Sequence, residues 1–293
     1  MLQFKTGSVN ANGIKFNFIE KGEGPLILCL HGFPDHARSF RHQLSALSER
    51  GFRVVAPFMR GYSPTEIPQN GSYQRAVLGQ DAVSLIDALE YESAVVLGHD
   101  WGATAGYAAA IIAPEKVSKL ITSAVPYGNV VREAWLTDSL QQRRSWYVFF
   151  FQTRIAERSV ANNNYEFIER LWEDWSSPGW TCPEEEMEAL KKTLGAPGVL
   201  SAALGYYRSI FDTTLHLPEL ASLQKKIGKE LIPVPTLYIH GETDGCIGVN
   251  LSEGIETFFS KTFQRVIIPN AGHFAHQEKP EEFNRIILEF LEA

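Results

Sequence analysis

The sequence predicts an α/β fold in which a mostly parallel sheet carries helices on both faces and begins with an antiparallel hairpin. Short apolar runs bounded by turn residues alternate with segments of helical spacing, a pattern typical of a parallel sheet. The alternation stops near residue 127 and resumes near residue 230, and the stretch between has aromatic-rich helical patterns without a buried strand. We therefore expect a core of residues 1–127 and 230–293 and an inserted all-helical cap of residues 128–229.

Each predicted element has a local signal in the sequence. The segment VNANGIKFNFIE predicts a hairpin, because Asn12-Gly13 is a pair that two-residue turns prefer. The continuous apolar run PLILCL predicts a strand buried on both faces. A helix over about 40–50 should end before Gly51, a residue suited to the position after a helix. Further strands are expected at 52–56, 93–98, 117–125, 234–241 and 263–269, and further helices at 75–89, 102–113, 250–259 and 280–291.

The composition narrows the class of protein. The chain has 293 residues, of which 44% are apolar and 21% charged, and its formal net charge is −7. We therefore expect no nucleic-acid partner and no membrane surface, which would call for clustered Lys and Arg, and no apolar run is long enough to span a bilayer. The start has no signal-peptide pattern, and three distant cysteines favour reduced thiols over disulfides or zinc. A cytoplasmic location is expected, and the oligomeric state is left open.

The motif GHDWG, residues 98–102, follows a predicted strand and begins a predicted helix. Gly98 and Gly102 permit a sharp turn, which would lift Asp100 off the sheet edge beside a helix N-terminus that favours a carboxylate. The frame small–x–nucleophile–x–small predicts a nucleophile at this position. The structural alternative is an Asp that caps the helix.

Three more motifs sit at the ends of predicted strands: HGFPD at 31–35, HGETDG at 240–245 and GHFAHQEKP at 272–280. Taken singly, each has an ordinary interpretation: a strand-to-helix loop, a turn Asp in Asp244, and a structural histidine in His273. The first contains the Phe33-Pro34 bond, a candidate for a cis peptide. Taken together, the chain order Asp100, Asp244, His273 is the order nucleophile, acid, base.

With these motifs the chain resembles the α/β-hydrolase superfamily over nearly its whole length, and within it the soluble-type epoxide hydrolases. The resemblance implies that Asp100 is the nucleophile and that His273, oriented by Asp244, is the general base. It also implies an oxyanion hole formed by the backbone N–H groups of Phe33 and Trp101.

The same resemblance implies two cap tyrosines that bind the epoxide oxygen. One corresponds to Tyr147 in YVFFFQ and the other to Tyr207 in LGYYR. Tyr207 is preferred to Tyr206 because it shares a helical stripe with Leu204 and Phe211 and should face inward. Without the family, both tyrosines would be interpreted as core aromatics.

An Asp nucleophile indicates displacement at an sp³ carbon. A serine that attacked such a carbon would form an ether, which water cleaves with difficulty, whereas a carboxylate forms an ester. Water activated by His273 can then attack the carbonyl carbon of Asp100 itself. An epoxide leaves as an alkoxide and needs a hydrogen-bond donor, which the phenols of Tyr147 and Tyr207 would supply.

Two other functions stay open at this point. A haloalkane dehalogenase could use the same triad, with Trp101 as one halide donor, but residue 33 is Phe and Trp146 is an uncertain substitute for the second donor. A non-catalytic small-molecule-binding protein could use the same fold. The expected function is that of an epoxide hydrolase acting on a small apolar epoxide and water, without a cofactor or metal.

Overall fold

The central feature of the fold is one eight-stranded sheet with the strand order β1-β2-β4-β3-β5-β6-β7-β8. The computed structural model describes residues 4–293. The strands are β1 (Lys5–Ala11), β2 (Ile14–Lys21), β3 (Leu26–Leu30), β4 (Arg53–Pro57), β5 (Ala94–His99), β6 (Val117–Ser123), β7 (Thr236–Gly241) and β8 (Phe263–Ile268).

The sheet is parallel from β4 to β8 and antiparallel where β2 pairs with β1 and β4. The hairpin turns at Asn12 and Gly13, whose φ angles of 44° and 77° are the left-handed values that a tight hairpin turn needs. The predicted hairpin and mostly parallel sheet are therefore confirmed. Because parallel strands end at one edge, β3, β5 and β7 bring the residues that follow them to the same side of the sheet.

Helices cover both faces of the sheet, as the sequence predicts. On one face, Leu28 of β3 lies in the same apolar core as Leu85 of α2 and residues of α3. On the other face, Ile27 lies in the same core as Leu44 of α1 and Ile287 of α12. The alternation of neighbouring side chains between two cores follows from the two-residue period of a strand. These helices are α1 (Arg41–Ser48), α2 (Arg75–Ala88), α3 (Trp101–Ile112), α11 (Ala275–Glu278) and α12 (Pro280–Glu292).

One sequence-predicted helix is wrong. The segment 250–259 forms two short 3₁₀ turns, Val249–Ser252 and Ile255–Phe258, instead of one α-helix. Gly254 lies between them with φ of 76°, a left-handed conformation that ends the first turn. The apolar spacing is helical, but the backbone reverses at the glycine.

Residues 124–235, all within the described part of the chain, contain helices and loops but no strand. Helix α7 is broken at 162–165, where three consecutive residues have positive φ. The segment packs on the core: the Trp172 indole N–H donates to the Pro34 carbonyl at 2.8 Å, and Arg38 pairs with Glu186 at 2.7 Å. The boundaries at 128 and 229 stay a prediction. The helices are α4 (Val130–Thr137), α5 (Ser139–Arg144), α6 (Trp146–Phe150), α7 (Ala156–Trp175), α8 (Glu184–Leu194), α9 (Val199–Phe211) and α10 (Ala221–Lys226).

None of the helices within residues 4–293 has the length and apolar character that a membrane crossing requires.

A buried ion pair joins the loop after β4 to helix α2. Arg60 donates to Asp81 through two nitrogens, at 2.7 and 2.6 Å, and both side chains are nearly inaccessible. The carbonyl of Arg60 also accepts the hydroxyl of Tyr206 at 2.8 Å, which links this pair to α9. Arg60 thus connects helix α2 of the core with helix α9 of the inserted segment.

Replacing Arg60 by Met should lower the free energy of unfolding by about 3–5 kcal/mol, because the substitution leaves the Asp81 carboxylate buried and unpaired. Chemical denaturation of the variant and wild type measures this difference. The matched control is Arg285→Met, which removes the Arg285–Glu289 pair, whose side chains are 57% and 63% exposed. We expect that change to cost less than about 1 kcal/mol. Equal losses in the two variants would contradict a special role for the buried pair.

Candidate active site

Asp100 occupies a sharp turn between β5 and α3. Its φ and ψ are 53° and −117°, a conformation in which L residues are strained. A Cβ at Gly98 would lie 2.2 Å from the carbonyl oxygen of Gly102, and a Cβ at Gly102 would lie 1.8 Å from that of Leu30. The chain can therefore approach this closely only with glycine at both positions. The consequence is a carboxylate held above the carboxyl edge of the sheet.

One carboxylate oxygen of Asp100 is held by the loop after β3. The backbone N–H of Phe33 donates to Oδ1 at 2.8 Å. The loop comes so close that a Cβ on Gly32 would lie 2.2 Å from the same oxygen. The Phe33-Pro34 peptide is cis, as the sequence suggested it could be. Trp101 is the first residue of α3, so no preceding helix carbonyl accepts its N–H, which leaves that group available to a nearby oxygen.

His273 and Asp244 form a buried hydrogen-bonded pair next to Asp100. The Nδ1–H of His273 donates to Asp244 Oδ2 at 2.9 Å, since a carboxylate can only accept. In the neutral ring Nε2 then carries the lone pair, and it lies 3.7 Å from Asp100 Oδ2. Asp244 is oriented in turn by the backbone N–H groups of Cys246 and Ile247, which donate to Oδ1 at 2.7 and 2.8 Å. The three predicted residues therefore converge in one site.

The charges of this site shift its pKa values in opposite directions. Burial by itself would lower the pKa of His273, but the carboxylates of Asp244 and Asp100 outweigh burial and raise it well above 6.5. Burial would raise the pKa of Asp244, but His273 and His240 outweigh it and hold that pKa well below its usual range. Asp244 therefore stays ionised, and Asp244, Cys246 and the hydrogen bond to Asp100 together favour protonated His273.

Both predicted tyrosines face the same site from the inserted helices. Tyr147 and Tyr207 are 4% and 3% exposed, and their ring centroids are 5.6 Å apart. The Tyr207 ring also packs edge-on against Phe33 at 5.3 Å and Trp101 at 5.2 Å. Burial is the main cause that raises the pKa of both phenols well above 10, so both remain protonated donors.

The hydroxyls of neighbouring tyrosines on α9 have different surroundings. The Tyr207 hydroxyl has no hydrogen-bond partner among residues 4–293, although its oxygen is buried. The Tyr206 hydroxyl donates to the carbonyl of Arg60 and its ring packs on Tyr73 at 4.9 Å. The Tyr147 hydroxyl lies 3.3 Å from the Cys246 sulfur, a weak hydrogen-bond partner. Tyr207 is therefore the phenol most in need of an acceptor.

A cavity of about 780 Å³ connects these groups. Asp100, Trp101, Tyr147 and Tyr207 line it, together with apolar side chains of the inserted helices. Phe33, Asp244 and His273 are at most 1% exposed. Phe33 and His273 contact Asp100, which lines the cavity, and Asp244 contacts His273. The volume lies in the range of sites for small organic molecules.

Sequence reasoning missed two residues that hold the histidine loop. The main-chain carbonyl of Trp175 accepts the backbone N–H of His273 at 2.8 Å. The Trp175 ring lies 5.3 Å from the His273 imidazole. The Glu278 carboxylate accepts N–H groups on both sides of His273, from Gly272 at 2.8 Å and Phe274 at 3.1 Å. Glu278 lies within the motif GHFAHQEKP, which was the available signal. Nothing in the local pattern around Trp175 indicates its contact.

Two groups of ligand-type side chains in the described residues come close enough to be considered for a metal: Asp244, Cys246 and His273, and Asp35, His99 and His276. Burial raises the pKa of the Cys246 thiol, which disfavours the thiolate that a metal binds. The Asp35 carboxylate already accepts from Ser39 at 2.6 Å and Gln277 at 2.8 Å. Hydrogen bonds from protein groups already occupy the carboxylates of Asp35 and Asp244. The expectation of a metal-free, cofactor-free site stays a prediction.

Comparisons with known proteins agree with this architecture. The sequence profile of the α/β hydrolase fold family matches residues 25–280. Human epoxide hydrolase 4 is 32% identical over 291 residues, which are 97% of this chain and 77% of the relative. Epoxide hydrolase 3 of Xenopus tropicalis is also 32% identical, over 96% of this chain and 75% of the relative.

Solved structures give the same result. The epoxide hydrolase of Bacillus megaterium in complex with an inhibitor is 30% identical, with a TM-score of 0.85 over 98% of this chain and 100% of that chain. A mutant of that enzyme, with the same TM-score, identity and coverage, is complexed with its product (R)-3-[1]naphthyloxy-propane-1,2-diol. The chain therefore belongs to the α/β-hydrolase fold family, and within it to the family of epoxide hydrolases.

Proposed function

We propose that this protein hydrolyses an epoxide to a vicinal diol through a covalent ester on Asp100. The observation that carries the proposal is that the two carboxylate oxygens of Asp100 have different contacts. Oδ1 accepts the Phe33 N–H at 2.8 Å, while Oδ2 lies 3.7 Å from His273 Nε2, and the residue lines the cavity. The relatives named above, with their inhibitor and diol complexes, support a small organic epoxide as the substrate.

In the first step, Asp100 Oδ2 attacks a ring carbon of the epoxide, and the bond between that carbon and the ring oxygen breaks. The leaving oxygen takes a proton from a phenol, and a hydroxyalkyl ester of Asp100 forms beside a tyrosinate. Tyr207 suits this role because its hydroxyl has no other partner in residues 4–293, and Tyr147 lies beside it. Because burial keeps both phenols protonated, they are poised to donate and not to accept.

In the second step, His273 Nε2 takes a proton from a water molecule, and the oxygen of that water attacks Cγ of Asp100. The negative charge develops on Oδ1, which already receives the Phe33 N–H. The N–H of Trp101, the first residue of α3, would be the second donor. Each such donor is typically worth about 3 kcal/mol of transition-state stabilisation. Collapse breaks the ester bond, releases the diol with the proton from His273, and regenerates the carboxyl group. The proton that this group loses on ionising restores the tyrosinate to phenol.

Ester formation itself prepares the base for this step. The hydrogen bond to the Asp100 carboxylate is one of the causes that raise the pKa of His273 in the free protein. An ester is neutral, so that cause disappears after the first step and the pKa of His273 falls. Before alkylation the site thus favours protonated His273, and after alkylation the imidazole loses its proton more readily and is available to activate water.

The halide alternative lacks its second donor. A dehalogenase site needs N–H donors beside the nucleophile, and Trp101 provides one candidate indole. Trp146, the only substitute that the sequence suggested, is 43% exposed and packs against Phe150 and Phe167. The phenols, in contrast, line the cavity with Asp100. A protein that only binds a ligand on this fold would have no need for the ordered pair of His273 and Asp244.

His273→Gln should trap the ester, because Asp100 can still attack while the base for hydrolysis is missing. Mass spectrometry of the peptide that contains Asp100, after incubation with styrene oxide, should detect an adduct with the mass of the epoxide. Asp100→Asn should give no adduct, and His42→Gln should behave as the wild type. In heavy-oxygen water, a single turnover of the wild type should place label in Asp100. Label in the diol alone would exclude the covalent mechanism.

Tyr207→Phe and Tyr206→Phe form a matched pair of neighbouring substitutions. The first should lower kcat about 100-fold or more, since it removes a proton donor to the leaving oxygen, with little change in stability. The second should cost about 1 kcal/mol of stability, through the lost bond to Arg60, and leave kcat nearly unchanged. Steady-state kinetics and chemical denaturation measure the two effects. Similar kcat losses in both variants would argue against a specific role for Tyr207.

The rate of ester hydrolysis should fall as pH decreases, because His273 accepts a proton only when neutral. The acid limb should lie at lower pH than the titration of His273 in the free protein, since the ester has no charge at Asp100. Single-turnover hydrolysis at several pH values and NMR titration of His273 give the two curves. Ring opening should persist to pH values near 10, because the phenols ionise above their usual range. An acid limb above the NMR titration would contradict this account.

A further inference from the structure

We infer that His240 is a positioning residue of the proposed reaction, which holds the Asp244 carboxylate beside His273 by donating to the same oxygen that accepts from His273. His240 is the first residue of the motif HGETDG and lies at the end of β7. The mechanism given above uses only Asp244 from this motif. The inference rests on the proposed function for its effect on the rate, but the contact itself can be tested in the free protein.

The His240 imidazole is buried directly against Asp244. Both side chains are inaccessible to solvent, and His240 Nε2 lies 3.1 Å from Asp244 Oδ2. The same oxygen accepts the Nδ1–H of His273 at 2.9 Å, while Oδ1 accepts the backbone N–H groups of Cys246 and Ile247. Each oxygen of Asp244 thus has two donors. Without His240, Oδ2 would have a single donor among residues 4–293, and the charge of that donor changes during the reaction.

The surroundings of His240 determine which ring nitrogen carries the proton. Besides the carboxylate, Nε2 lies 3.0 Å from the carbonyl oxygen of Ile247. A carboxylate and a carbonyl can only accept, so the proton is on Nε2. The Tyr238 hydroxyl pairs with Nδ1, and burial raises the pKa of Tyr238 well above 10, so the phenol stays protonated and donates to Nδ1. The neutral ring with its proton on Nε2 therefore satisfies all three partners.

The same contacts brace the turn that supplies the other donors to Asp244. Ile247, whose carbonyl accepts from His240, donates its own N–H to Asp244 Oδ1 at 2.8 Å. His240 itself is held by a rigid element, because β7 lies between β6 and β8 and all six of its residues are buried. The orientation of the carboxylate is thus set from an interior strand of the sheet.

The shared oxygen connects His240 to the basicity of His273. The hydrogen bond from His240 is one of the causes that lower the pKa of Asp244. Both imidazoles draw on the charge of Oδ2, so the donor from His240 weakens the attraction between Asp244 and protonated His273. Loss of this donor should therefore make His273 hold its proton more strongly.

Four other titratable groups contact or lie close to His273: Asp100, Cys246, His99 and His276. Burial raises the pKa of the Cys246 thiol. Burial also lowers the pKa of His99 to about 3 and that of His276 well below 6.5. These three groups stay uncharged near neutral pH, so a change in the titration of His273 reports on the two carboxylates beside it.

NMR of the free protein tests the contact. Nitrogen-15 spectra of the wild type should show the His240 proton on Nε2 wherever His273 titrates. His240→Leu should raise the midpoint of the His273 titration by about one pH unit, since Oδ2 of Asp244 loses a donor. His240→Gln, whose amide can donate, should reverse part of this shift. The matched control is Thr236→Val, which removes a buried hydroxyl at the start of β7 that donates to the Val234 carbonyl at 3.0 Å, and it should cause no shift.

Two results of these measurements would overturn the inference. One is a wild-type His240 with its proton on Nδ1, since that ring could not donate to Asp244. This result is read in the wild type and does not depend on whether a variant folds. The other is the same His273 titration in the wild type and in folded His240→Leu.

Single-turnover kinetics with styrene oxide test the effect on the reaction. Ester formation should be unchanged in His240→Leu, because Asp100 and the phenols carry that step. The acid limb of ester hydrolysis should move up by about one pH unit, which makes hydrolysis about 10-fold slower on the acid side. A merely structural role would slow both steps alike and leave the limb in place.

The outcomes separate this inference from the proposed function. Diol formation with the same acid limb in the wild type and folded His240→Leu would overturn the positioning role and leave the proposed function intact. A shifted His273 titration in His240→Leu, without adduct or diol from any epoxide, would uphold the action of His240 on His273 and contradict the proposed function.

Discussion

The hydrogen bond from the Phe33 N–H to Asp100 Oδ1 is the interaction on which the site depends. It requires that two loops meet, one after β3 and one after β5, at a distance that excludes any side chain on Gly32. It also divides the two carboxylate oxygens, since Oδ1 is held and Oδ2 is free to react. The strained φ of Asp100 is tolerated because Gly98 and Gly102 let strand, turn and helix pack without a Cβ between them.

Two aspartates with the same chemistry have different roles because their surroundings differ. Asp244 is 1% exposed and is held by two backbone N–H groups and His273, so its pKa is lowered and its charge is permanent. Asp100 faces the cavity with one oxygen free. The first can therefore orient and polarise the imidazole throughout the reaction. In the proposed mechanism the second is alkylated and released, and its change of charge alters the basicity of His273.

The inserted helices supply what the sheet cannot. A carboxylate, a histidine and two backbone donors are common to many reactions on this fold, and they do not by themselves distinguish one leaving group from another. The inserted helices add two phenols, Tyr147 and Tyr207, to the cavity that Asp100 lines. In the proposed mechanism the nucleophile and the base thus come from the core and the proton donors from the inserted segment, so the site depends on how that segment packs on the core.

The sequence by itself determined the sheet, the hairpin and the order Asp100, Asp244, His273, because strand periodicity and turn residues are local properties of the chain. It also favoured Tyr207 over Tyr206 through helical spacing. In the structure Tyr207 lines the cavity, whereas Tyr206 donates its hydroxyl to the carbonyl of Arg60. The 3₁₀ turns at 249–258 and the contact of Trp175 with His273 were decided only by the tertiary structure. The contact depends on which distant groups meet, and a residue such as Trp175 looks ordinary until the groups around it are known.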